Sequence, residues 1–95
     1  MATSSAVVRT ENASRYLQQL CKHFAHKIEV EFTPTHGVCR FSVGTATLDA
    51  DTGQLTIVAE ARDDTALGET QHVIESHLLR FAFREELGPL AWTKG

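Results

Sequence analysis

Two periods of apolar and polar residues divide the chain. The densest apolar run is Ser76 to Glu85. At helical spacing Leu67, Ile74, Leu78 and Phe81 share one face with Thr70 and His77, which predicts a helix over about Thr65–Glu86. Asp63-Asp64 supplies its N-cap and Gly88-Pro89 its stop. A shorter helix is predicted over about Ala13–Ala25. Ala13, Tyr16, Leu17, Leu20 and Phe24 form its apolar stripe, Cys21 lies at the edge, and Arg15, Gln18, Gln19, Lys22 and His26 lie opposite. Thr10 or Asn12 is the expected N-cap.

Elsewhere the period is two. Strands are predicted over Ser5–Arg9, Lys27–Thr33, Val38–Val43, Thr45–Ala50 and Gln54–Arg62. Pro34-Thr35-His36-Gly37 reads as a turn and Asp51-Thr52-Gly53 as a tight hairpin. Leu90-Ala91-Trp92 is expected to form an edge strand or a covering segment. The fold class is therefore α+β, in the order β-α-β-β-β-β-α, with an antiparallel sheet and two helices on one face. The open face is expected to carry Glu29, Glu31, Arg40, Ser42, Thr47, Thr56, Glu60 and Arg62, with cross-strand ion pairs. This layering resembles the TATA-binding-protein-like half-domain, also seen at the C-terminus of phosphohexomutases. Nucleic-acid binding does not follow, because that face lacks the basic and wedge-forming apolar residues of minor-groove binders.

Ninety-five residues suit one domain, and 42% apolar with 22% charged residues is ordinary for a globule. No apolar run approaches the length of a membrane-spanning helix, and Met1 to Ser5 has no basic or apolar leader, so a cytoplasmic location is expected. There Cys21 and Cys39 are expected to be small core residues rather than a disulfide. Net charge is −3, which disfavours a non-specific nucleic-acid binder. The local patch Lys22, His23, His26 and Lys27 sits where a helix C-terminus prefers cations.

The candidate chemistry is sparse. His77 suits a core-rim histidine bonded to a backbone carbonyl or to Tyr16, or else a metal ligand or donor to an anion. His23 and His26, three apart, could share a metal if His36 or His77 converged on them, and the same residues serve equally as helix-end cations. Arg80 and Arg84, four apart, could hold an anion; Arg84 could instead pair with Glu85 or Glu86. Leu79 and Phe83 lie off the core stripe, to be covered by the tail that holds Trp92 or by a second copy of the chain. No nucleophile elbow, no recognisable Cys/His context and no glycine-rich phosphate loop is present, so the sequence carries no signature of catalysis.

Asn12-Ala13-Ser14-Arg15-Tyr16-Leu17, followed by Leu20-Cys21-Lys22-His23-Phe24-Ala25-His26-Lys27, resembles the opening of the bacterial domain-of-unknown-function family numbered 2218. Thr35-His36-Gly37, Leu48-Asp49-Ala50, Ser76-His77-Leu78 and Arg80-Phe81-Ala82-Phe83-Arg84-Glu85 extend the resemblance over nearly the whole chain. It implies no established activity or cofactor. It does imply an iron-acquisition setting beside a siderophore-interacting reductase, with His23, His26, His36 and His77 as candidate contacts. A binding module for an iron chelate or other small anion near His23, His77 and Arg80 is the leading expectation. A homodimerising interaction domain using Leu79, Phe83 and Trp92 is the alternative.

Overall fold

Alternating side chains give each strand one apolar face, and two amphipathic helices cover it. The computed structural model describes residues 1–85 and 87–95. Its strands are β1 (Ala2–Arg9), β2 (Glu29–Phe32), β3 (His36–Arg40), β4 (Thr45–Ala50), β5 (Gln54–Ala61) and β6 (Thr93–Lys94). They form an antiparallel sheet in the order β2-β3-β4-β5-β1-β6. The helices are α1 (Ala13–Phe24) and α2 (Asp64–Phe81), and a 3₁₀ turn at Phe83–Glu85 follows α2.

Register decides what meets under the helices. Ile57 pairs with Ala6 on one side and Leu48 on the other; Leu55 pairs with Val8, and Cys39 with Ala46. Leu48, Leu55 and Ile57 are fully buried against Tyr16, Leu17 and Leu20 of α1 and Ile74 and Leu78 of α2. Each large aliphatic side chain so buried contributes about 1.5–3 kcal/mol. α1 sits over β2 to β5, and α2 over β5, β1 and β4. On the open face Arg40 bridges Glu31 at 2.9 Å and Glu29 at 3.5 Å, the cross-strand pairing expected there.

Several boundaries differ from the sequence expectation, each for a local reason. β1 begins at Ala2 rather than Ser5, because Ala2 to Ser4 pair with Ala61 to Ala59 and the buried Ser4 hydroxyl accepts from Gln71 Nε2 at 2.5 Å. β2 begins at Glu29, since the amides of Lys27 and Ile28 still donate to the Phe24 carbonyl and finish α1. His36 opens β3 instead of lying in the turn, with its amide donating to Thr33 Oγ1. β3 stops at Arg40 because Phe41 and Gly44 exchange backbone bonds in a turn. Asp63 caps α2 as expected, accepting from the Ala66 amide at 2.8 Å. α2 ends at Phe81, not Glu86, and Glu86 lies outside the described residues. Of the two roles expected of Leu90-Ala91-Trp92, the segment takes the covering one, and the edge strand lies just beyond it at Thr93–Lys94. Leu90 and Trp92 pack on the core, Trp92 Nε1 donates to Glu75 at 2.8 Å, and β6 pairs with β1.

Gly44 marks where α2 approaches the sheet most closely. A Cβ there would lie 2.4 Å from Thr70 Oγ1 and 2.5 Å from the Glu60 carbonyl oxygen, which is backbone and cannot rotate away. Gly44→Ala is expected to lower stability by about 1–3 kcal/mol in urea denaturation, as overpacking does. Gly53→Ala, whose Cβ meets nothing within 4 Å, is the control and should stay within about 0.5 kcal/mol. Equal stability of the two variants would contradict this packing.

Candidate functional site

The apolar stripe that seats α1 on the sheet leaves Arg15, Gln18, Gln19 and Lys22 on its outer side. Alone, that would be a solvated helix face. The end of α2 makes it the wall of a cleft. Phe81 closes α2, Ala82 caps it, and the 3₁₀ turn carries Phe83 and Arg84 across from α1. The space enclosed is about 730 Å³. Arg15, Lys22 and Arg84 supply charge, Tyr16, Phe81 and Phe83 supply aromatic surface, and Ser14, Gln18 and Gln19 complete the lining.

Glu85 sets this geometry. Its carboxylate accepts from Thr10 Oγ1 at 2.8 Å, from Asn12 Nδ2 at 3.0 Å and from the Tyr16 hydroxyl. Neither residue expected to cap α1 does so in the ordinary way. Asn12 occupies the N-cap position without a side-chain cap bond, and Thr10 Oγ1 accepts from the Asn12 amide at 3.0 Å. Their side chains are turned to Glu85, which brings a negative charge to the positive end of α1. The Tyr16 bond and then the Asn12 bond hold the Glu85 carboxyl below its ordinary pKa. Burial, reinforced by the bond to Glu85, pushes the Tyr16 phenol up.

The cleft cations keep their charge open. None of Arg15, Lys22 and Arg84 has a carboxylate within 4 Å among the described residues. Arg84 lies over the Phe83 ring at 5.6 Å instead of pairing with Glu85, and Arg15 over Tyr16 at 5.5 Å. A guanidinium held on an aromatic face still presents its N–H fork to an anion.

The histidines divide. His23 and His77 meet, with ring centroids 4.9 Å apart, and Phe24 and Phe81 pack edge-on to His23. His77 Nδ1 donates to the Val73 carbonyl at 2.7 Å, so Nε2 keeps the lone pair. Tyr16 is not its partner. Burial, then repulsion from His77, lowers the His23 pKa and favours its neutral form. Arg80 is exposed one turn beyond His77, and His26 is exposed past the end of α1. His36 does not join them. Gly37 and Cys39 turn toward the helices, so His36 faces the other side of the sheet, where its Nδ1 lies 2.6 Å from Asp49 Oδ1. No group of three or more His, Cys, Asp or Glu side chains is placed to hold a metal among the described residues. Leu79 is half-buried, Phe83 is 66% exposed, and Trp92 is committed to its own chain. Phe81 lines the cleft and also touches His23, so the histidine pair borders the cleft.

Of the residues that line or position the cleft, the sequence singled out Arg84 and Phe83 and set Lys22 in the helix-end patch, but gave Arg15 only as part of the outer helix face and Glu85 only as a partner for Arg84. Arg15 and Lys22 lie seven apart and share a helix face, but nothing local distinguishes that face from a solvated one.

The family model described as "Uncharacterized protein conserved in bacteria (DUF2218)" matches residues 5–93. The NMR structure of PA4090 from Pseudomonas aeruginosa is similar, with a TM-score of 0.82 and 39% identity over 98% of this chain and 96% of that one. No functionally curated protein matches. No helix among the described residues is long and apolar enough to cross a membrane.

The lowered pKa of Glu85 fixes the sign of its pH dependence. Its contribution to stability is complete above the unfolded value of about 4.5 and is lost as pH falls through the lower folded value. At pH 7, Glu85→Gln is expected to be less stable than the parent by about 1–2 kcal/mol in urea denaturation. That gap should close as pH falls below about 4.5 and the parent carboxylate takes up its proton. A gap that stays constant down to pH 2.5 would mean that the charge of Glu85 contributes nothing.

Proposed function

We propose that this protein, which belongs to the DUF2218 family of bacterial proteins, is a binding module for a small anion with aromatic or other apolar surface. The observation that carries this reading is the convergence of Arg15, Lys22 and Arg84 on a cleft that also exposes Phe81 and Phe83. A simple anion would use the cations alone. A simple apolar ligand would use the rings alone. The mixture suits a molecule with both, bound where partial exclusion of water strengthens each charge pair. Among the described residues nothing in the cleft is arranged as nucleophile and base, which favours binding over catalysis.

The iron-chelate reading is a special case. A ferric catecholate siderophore is a bulky anion with aromatic donors, and the cleft's charge and lining support such a ligand. His23, His77 and Arg80 would then meet the part of it that extends past Phe81. In that setting the protein works in the cytoplasm and passes its ligand to a siderophore-interacting reductase. A second reading rests on the 66% exposure of Phe83: a second copy of the chain covers it.

Titration of the ¹⁵N-labelled protein by NMR tests the proposal, with benzoate, 2,3-dihydroxybenzoate and its ferric tris-complex as probes. Amide shifts are expected between Ser14 and Lys22 and around Phe81 to Arg84. Arg15→Ala, Lys22→Ala and Arg84→Ala should each weaken binding by about 3–10-fold, and more at low salt. Shifts confined to the open sheet face, or none at millimolar probe, would overturn it. Sedimentation equilibrium on the same samples reports the second reading: a dimer abolished by Phe83→Ser supports it, and a monomer at high concentration removes it.

A further inference from the structure

The two cysteines lie eighteen positions apart in sequence and in contact in space. Cys21 is on the buried side of α1, Cys39 is on the helix-facing side of β3, and both are fully buried. Their sulfurs are 3.9 Å apart, about 2 Å beyond bonding distance. Gly37 makes the approach possible. It precedes Cys39 by two residues on the same strand face, and a Cβ there would sit 2.7 Å from Cys21 Sγ. The bare backbone therefore lets α1 settle until one sulfur rests beside the other.

We propose that Cys21 and Cys39 form a reversible disulfide site, oxidised by a peroxide, that staples α1 to β3. The chemistry balances without further groups. The Cys21 thiolate attacks hydrogen peroxide: an S–O bond forms, the O–O bond breaks, and water leaves once a proton is taken up, giving the sulfenic acid. Cys39 sulfur then attacks that sulfur. The S–S bond forms, the S–O bond breaks, and the hydroxyl departs as water with the Cys39 proton. The two thiols lose two protons and two electrons, and peroxide is reduced to two waters. The 3.9 Å contact lets one thiol stabilise the other's thiolate, and it lowers the Cys21 pKa against the opposing effect of burial. Both thiols are fully buried, so the oxidant reaches them when the sheet edge beside Cys39 opens locally. Cys39 pairs with Val30 of β2, a four-residue strand at the edge of the sheet.

Treatment of the folded, reduced protein with dilute hydrogen peroxide, followed by intact-mass measurement and non-reducing peptide mapping, tests the site. The expected product is the monomer lighter by two hydrogens, with one cross-linked peptide pair joining Cys21 to Cys39, restored by thiol reductant. Its thermal midpoint should rise by roughly 10–20 °C, as for a loop of this length. Cys39→Ser, whose hydroxyl can still donate to Cys21, should gain oxygen at Cys21 instead of losing hydrogen, and Cys39→Ala should lose no hydrogen and show no rise in thermal midpoint. The site is overturned if the folded parent only adds oxygen to separate cysteines, links between chains, or forms the bond solely after unfolding in urea.

Discussion

One carboxylate holds the end of the second helix against the start of the first. Glu85 takes hydrogen bonds from Thr10, Asn12 and Tyr16, residues 69 to 75 positions away in sequence. Continuing α2 through Phe83 to Glu85 would gain only the fraction of a kcal/mol per residue that helix propensity offers. Three hydrogen bonds to an ionised group, each worth about 1.5 kcal/mol even at the low end, outweigh that. The helix therefore stops at Phe81, the chain turns, and Phe83 and Arg84 are carried over to face α1. The three donors are all neutral, and Arg15, Lys22 and Arg84 have no carboxylate within 4 Å among the described residues.

The open sheet face shows the contrast. There Arg40 is shared between Glu29 and Glu31, and His36 lies against Asp49. These pairs are exposed and contribute little to stability, typically under about 1 kcal/mol. One arginine against two glutamates leaves that part of the face negative, which does not draw an anion. The cleft is the opposite case. Charge of one sign collects in a concavity beside aromatic rings, where field lines are focused and water is partly displaced.

The order of elements was legible because it rests on period, and period is local. Leu55, Ile57, Ala59 and Ala61 alternate over β5, and Leu17, Leu20 and Phe24 recur along α1. Where the reading failed, a distant partner decided. Phe83-Arg84-Glu85 continues the helical pattern in sequence, and only the contacts of Glu85 end it. His36 follows Pro34-Thr35 and precedes Gly37, an ordinary turn composition, yet its pairing with Asp49 across β4 draws it into a strand. The meeting of His23 and His77 was partly legible, because each borders an apolar stripe and the two stripes share one sheet face. The cleft was not. A polar helix face becomes a wall only when something stands opposite it, and that element was expected to be helix.

α1 links the two chemistries the fold supports. Its inner side lies so close to β3 that Gly37 cannot carry a side chain without disturbing Cys21, and its first turn is tied to Glu85. A ligand drawn to Arg15 and Lys22 pulls on a helix anchored at both places. The facing wall is held differently. Phe83 and Arg84 are exposed and are positioned by their neighbour Glu85 and little else among the described residues. In the proposed binding role, closure of the cleft around a ligand would be a movement of the 3₁₀ turn toward α1. Its cost is set by how far Glu85 can shift without losing Thr10, Asn12 and Tyr16. The group that creates the cleft thus also limits how large a ligand the cleft can accept.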